Sequence, residues 1–70
     1  MFKDAKLDAL TKGIKMQYKD EVKAVKKYSA LGYLASSLGL RGLADSLYNI
    51  HLDEVKHRDT LEDIMRWVHD

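Results

Sequence analysis

Apolar residues recur along the chain at alternating steps of three and four. In the first half they fall at Leu7, Leu10, Ile14, Tyr18, Val25, Tyr28, Leu31 and Ala35; in the second at Leu43, Leu47, Ile50, Leu61, Ile64 and Val68. That spacing is the period of an α-helix with one apolar stripe. It predicts a first helix over about residues 3–38 and a second over about 42–69. The chain has no proline, and Ala, Leu, Lys, Glu and Asp dominate, which favours helix. Gly13 costs roughly 1 kcal/mol inside a helix. The stripe continues across it from Leu10 to Ile14, so the first helix is not expected to break there. Between the two patterns, "SSLGLRGLADS" is the stretch with turn chemistry. Gly39 suits the position just past a helix end, where a left-handed residue is needed and no Cβ can clash. The second helix then begins near Arg41 or Gly42, without an ideal N-cap.

Each stripe has a polar gap at its middle. Glu21 fills the first, seven residues after Ile14 and seven before Tyr28; Glu54 and His57 fill the second. At about 100° per residue, Glu54 and His57 both lie within roughly 40° of the stripe's centre. His51 falls at its edge and His69 in the last turn, while Asp53, Lys56, Arg58 and Asp59 are expected to point outward. A short turn forces the helices antiparallel. Counting from a turn centre near residues 39 and 40, Glu21 lies about 18 residues before, His57 about 18 after and Glu54 about 15 after. At ~1.5 Å per residue all three fall within about one helical turn of the same level. The helix pattern did not require that agreement.

Length sharpens the question. Seventy residues make one domain with little core, so stability calls for a metal, disulfides or partner chains. There is no cysteine, which excludes disulfides and thiolate metal clusters. Self-association and ligation by histidine and carboxylate remain. The net charge of +1, with acids and bases interleaved, argues against nucleic-acid binding by bulk charge. Lys12, Lys15, Lys19, Lys23, Lys26 and Lys27 read as a solvated helix face. Charges interrupt every window of membrane-spanning length, and "MFKDAKLDAL" holds no secretory apolar stretch. The expectation is a cytoplasmic protein with no membrane or nucleic-acid partner.

A carboxylate in an apolar seam must be paired, protonated or bound to metal. The stripes offer no Lys or Arg at the right level for Glu21 and Glu54. A two-fold pair of hairpins would make a four-helix bundle and bring two copies each of Glu21, Glu54 and His57 to its centre. Four carboxylates carry −4 and two Fe²⁺ ions +4, so such a site is neutral when loaded and self-repelling when empty. Carboxylate with imidazole suits iron or manganese, with zinc as a substitute, and no thiolate is present to favour copper.

"DEVKAVKKYSALGYLA" followed by "LADSLYNIHLDEVKHRDTLEDI" resembles the ferritin-like superfamily, in particular the half-bundles of rubrerythrin-type domains and encapsulated ferritins. The resemblance covers roughly residues 18–66. It rests on a first-helix Glu with a Tyr seven residues on (Glu21 and Tyr28) and E-x-x-H on the second helix (Glu54 and His57). It implies an all-α hairpin that dimerises into a four-helix bundle, or a higher even-numbered homo-oligomer, with an encapsulating shell among its partners. It implies a ferroxidase-type or peroxide-reducing oxidoreductase that oxidises Fe(II) at two irons between subunits. By that likeness Glu21 bridges or caps the irons, Glu54 bridges them, His57 is a terminal ligand and Tyr28 donates a hydrogen bond from behind. Two features depart from the family. Asp20 is the one acid beside Glu21, amid Lys19, Lys23, Lys26 and Lys27, and no cysteine-based electron-transfer module accompanies the helices. The alternative is a non-enzymatic hairpin that self-assembles or docks a partner, with Glu54 and His57 paired to each other or to lysines.

Overall fold

The computed structural model describes residues 5–69, with side chains as far as Trp67. Within that span the chain is an antiparallel hairpin of two α-helices, α1 (Ala5–Ser37) and α2 (Arg41–His69). Both helices and the single turn lie where the periodicity put them. α1 runs through Gly13 without a break. Residues 3 and 4, expected in the first helix, and the side chains of Val68 and His69 lie outside what is described.

The turn is closed by backbone bonds around Gly39, which takes φ +75°. Leu40 N–H donates to Ala35 O at 2.9 Å and Gly39 N–H to Ser36 O at 3.0 Å. This is the paired 6→1 and 5→2 arrangement that satisfies the last carbonyls of a helix through one left-handed residue. α2 starts one turn of bonding later, with Ala44 N–H donating to Leu40 O at 2.9 Å. Its first residue is Arg41. The short reversal leaves α2 no freedom in where it begins, which is why the start is sharp without a good capping side chain.

The hairpin is a rod of 59 × 15 × 12 Å with a radius of gyration of 16.3 Å. A globule of this length would have a radius of about 11 Å. Its accessible surface is 5845 Å², against about 4,500 Å² for a compact monomer of this mass. Among the described residues Ala35 alone is buried. The two helices therefore cover only part of what the sequence makes apolar.

The stripe resolves into two adjacent lines. One is half-buried between the helices: Ile14, Tyr18, Glu21, Val25, Tyr28 and Gly32 on α1, facing Ala44, Leu47, His51, Glu54, Arg58 and Leu61 on α2. Their three-four spacing is that of a supercoiled seam. The seam is close at Gly32, where an added Cβ would sit 3.9 Å from Ala44 O and from Leu47 Cβ. The second line lies beside the first and is open: Leu10 and Leu31 on α1, Leu38 just past its end, and Leu43, Ile50 and Ile64 on α2 are all more than a third exposed. His57 falls on this open line, one heptad after Ile50 and one before Ile64.

Candidate metal centre

Glu21 stands at the middle of α1, and Glu54 and His57 one turn apart near the middle of α2. Antiparallel packing brings them to one level. One donor atom from each lies within 4.8 Å of the others. His57 Nδ1 is 3.6 Å from Glu54 Oε1 and 3.9 Å from Glu21 Oε2. Two donors on opposite sides of a first-row cation, each about 2.1 Å away, are separated by at most ~4.2 Å. The cluster is thus near the span that a single cation would bridge.

The three groups differ in exposure. Glu21 and Glu54 are nearly enclosed, with 12% and 20% of their side chains accessible, whereas His57 is 60% accessible. The expectation of a shared centre for all three concerned a pair of hairpins; within one hairpin, His57 lies on the outer face. The reason is the width of the stripe, whose far half has no neighbour within the chain. Oε1 of Glu21 accepts a hydrogen bond from Gln17 Nε2 at 2.9 Å. Oε2 is buried and has no hydrogen-bond partner. A buried acceptor left in that state costs about 1–3 kcal/mol.

A proton on Glu54 would supply the missing partner, and the two carboxyls titrate as a pair. When Glu54 carries the proton, its hydrogen bond draws Glu21 below the ordinary glutamate range; burial opposes this, and Gln17 and His57 add to it. Glu54 moves the other way. Its hydrogen bond to Glu21 pushes it up first, then burial and the charge of Glu21, with His57 partly offsetting. Two carboxylates this close share one proton in preference to both ionising.

Other residues singled out in the sequence take different places. Tyr28 lies in the seam two turns from Glu21. It lines a groove with Gly32, Tyr48 and His51, and Lys27 Nζ sits 5.6 Å from its ring centroid. No hydrogen bond joins it to the cluster among the described residues. His51, expected at the stripe's edge, is half-buried in the seam; its Nδ1 lies 2.9 Å from Val25 O and its ring stacks on Tyr48 at 6.0 Å. Arg58, expected to point outward, is half-buried, yet its guanidinium does not reach Glu54. Nε and Nη2 both donate to Asp59 Oδ1, at 3.1 and 3.0 Å. Both carboxylates of the centre are therefore without a Lys or Arg partner among the described residues. Gln17 was not singled out by the sequence pattern, because a glutamine at the stripe's margin looks like any surface amide. Its position four residues before Glu21 was the available signal.

No protein-family model, curated protein or solved structure matches the chain. None of the described helices is long and apolar enough to cross a membrane.

Proposed function

We propose that the hairpin is half of a di-iron carboxylate centre, completed by a second copy of the chain, and that it oxidises Fe(II) with oxygen or peroxide. One observation carries the reading. Two enclosed carboxylates and an imidazole converge at mid-helix, around an acceptor oxygen that no protein group satisfies. The donor set fits iron: hard carboxylate oxygens with one imidazole nitrogen, and no thiolate in the chain. A second copy placed by a two-fold axis at this level would cover the open apolar line on both hairpins. It would also enclose His57. Because Glu21 and Glu54 sit near the midpoints of their helices, such an axis lets the two rods overlap along nearly their full length.

Bound iron would supply the one-electron steps and an open position for the oxidant. The chain's own groups do the rest. Glu21 and Glu54 contribute negative charge that favours the more highly charged oxidation state. Glu54 gives up the shared proton as a cation arrives. His57 offers a neutral nitrogen through its exposed ring edge. Ile50, on the open line one turn before Glu54, would exclude water once a partner covers it.

The test is an anaerobic Fe²⁺ titration followed by oxygen exposure, read by absorbance, with mass from light scattering before and after loading. The expected result is a dimer or larger even-numbered assembly that binds two Fe²⁺ per pair of chains and oxidises them faster than buffer. A monomer under excess Fe²⁺, with oxidation at the buffer rate, would end the proposal. A second reading, a self-assembling hairpin without metal, draws on the distances from His57 to Glu54 and Glu21, which also suit an internal ion-pair cluster. It predicts the same mass with no dependence of melting on metal.

A further inference from the structure

We infer that Gln17 is a positioning residue for this centre: its side-chain amide holds Oε1 of Glu21 and so turns Oε2 toward Glu54 and His57. The inference rests on the reading of Glu21 as a metal ligand and extends it to a residue outside the donor set. A glutamate carboxylate rotates broadly about its last torsion and by itself presents either oxygen, or both. Here one oxygen is engaged. Nε2 of Gln17 donates to Oε1 at 2.9 Å, from one helical turn away. The other oxygen is left buried, unpartnered and 3.9 Å from the imidazole. One carboxylate oxygen is spoken for by an amide and the other is aimed at the cluster.

The chemistry at position 17 fits that role. The surrounding stretch of α1 carries Lys15, Lys19 and Lys23. The positions that can reach Glu21 along the helix, three or four residues away, are Gln17, Tyr18, Ala24 and Val25. None is cationic. A lysine at 17 would neutralise Glu21 and compete with a bound cation. An amide orients the carboxylate and leaves its charge in place. Outer partners of this kind typically account for 10- to 100-fold in metal affinity.

Co²⁺ alone is a suitable probe, because its visible spectrum reports ligand geometry independently of turnover. Gln17→Leu is expected to weaken Co²⁺ binding about tenfold or more and to change the band shape, with apo helix content and mass as in the parent chain. Gln17→Lys is expected to weaken it further. Gln17→Glu keeps the size but replaces the donor with an acceptor, and is expected to behave like Gln17→Leu or worse. If Gln17→Leu does not fold, Gln17→Lys and Gln17→Glu carry the test, since both keep a long polar chain at an exposed site. Parent-like affinity and spectrum in the folded Gln17 variants, alongside loss of Co²⁺ binding in Glu21→Gln, would overturn the positioning role and leave the metal centre standing. Unchanged Co²⁺ binding in Glu21→Gln, or no binding by the parent chain, would remove the centre itself and this inference with it.

Discussion

Replacing Glu21 with leucine should move stability in opposite directions with and without metal. Without metal, and at a pH where both carboxyls are ionised, Oε2 is a buried acceptor with no partner, a cost of about 1–3 kcal/mol. Leucine is similar in length, carries no charge and fits a position whose side chain is 12% accessible. The variant also ends the competition between Glu21 and Glu54 for one proton. The apo protein should therefore gain about 1–3 kcal/mol. In a domain of 60–100 residues each kcal/mol shifts the melting temperature by about 4–8 °C. With metal at a hundred times its dissociation constant, the parent chain gains ~2.7 kcal/mol from linkage. The variant lacks a donor and should lose most of that gain. Thermal melting followed by circular dichroism, with and without Zn²⁺ as a redox-inert probe and at one fixed chain concentration, reads both terms. The parent should melt lower than the variant without metal and show the larger upward shift with it. A Glu21→Leu chain that melts lower than the parent without metal, yet keeps the full metal-induced shift, would refute the reasoning on both counts.

Further outcomes follow from the same structure. The apo melting temperature should peak in acid, near the ordinary glutamate pKa. The raised Glu54 stabilises fully below that value, and its share is lost as pH rises through its folded pKa. The lowered Glu21 stabilises above that value, and its share is lost as pH falls through its own folded pKa. A pH series of melts should show the peak in the parent and a flatter curve in Glu54→Gln. Gly39→Ala forces a Cβ into φ +75° and should cost about 1–2 kcal/mol, measured by chemical denaturation, with Gly39→Asn costing less. Ile50→Asp, on the open line, should shift the mass in light scattering toward a single chain, whereas Lys26→Asp on the opposite side should not. His51→Ala removes a seam contact to Val25 O and should cost about 1 kcal/mol without altering Zn²⁺ affinity.

The helices and the turn were legible because they depend on local signals. A three-four apolar period spans each helix, and one glycine stands where a left-handed residue is required. The common level of Glu21, Glu54 and His57 was legible too, since a fixed rise per residue turns sequence distance into height once the turn is known. What periodicity does not give is a partner. It gives a direction around the helix, and a stripe too wide for one neighbour has two halves with the same signature. That is why His57 lies open within one hairpin, and why His51 and Arg58, expected at the edge and outside, sit in the seam. The arrangement at Glu21 was hidden for another reason. Gln17 interrupts no pattern and carries no charge, so its bond to Oε1 becomes visible only when side chains have positions.

The shape of the hairpin also bears on how its mass must be measured. A particle 59 Å long and 15 by 12 Å across meets more friction than a sphere of equal volume. It leaves a sizing column early, as a heavier compact protein would. One chain can thus elute near the volume calibrated for two, and a side-by-side pair, being stouter in proportion, is shifted less than its doubled weight suggests. Column retention alone would blur the pairing step that the proposed centre requires. Scattering intensity or sedimentation equilibrium, which weigh the particle whatever its outline, resolve it.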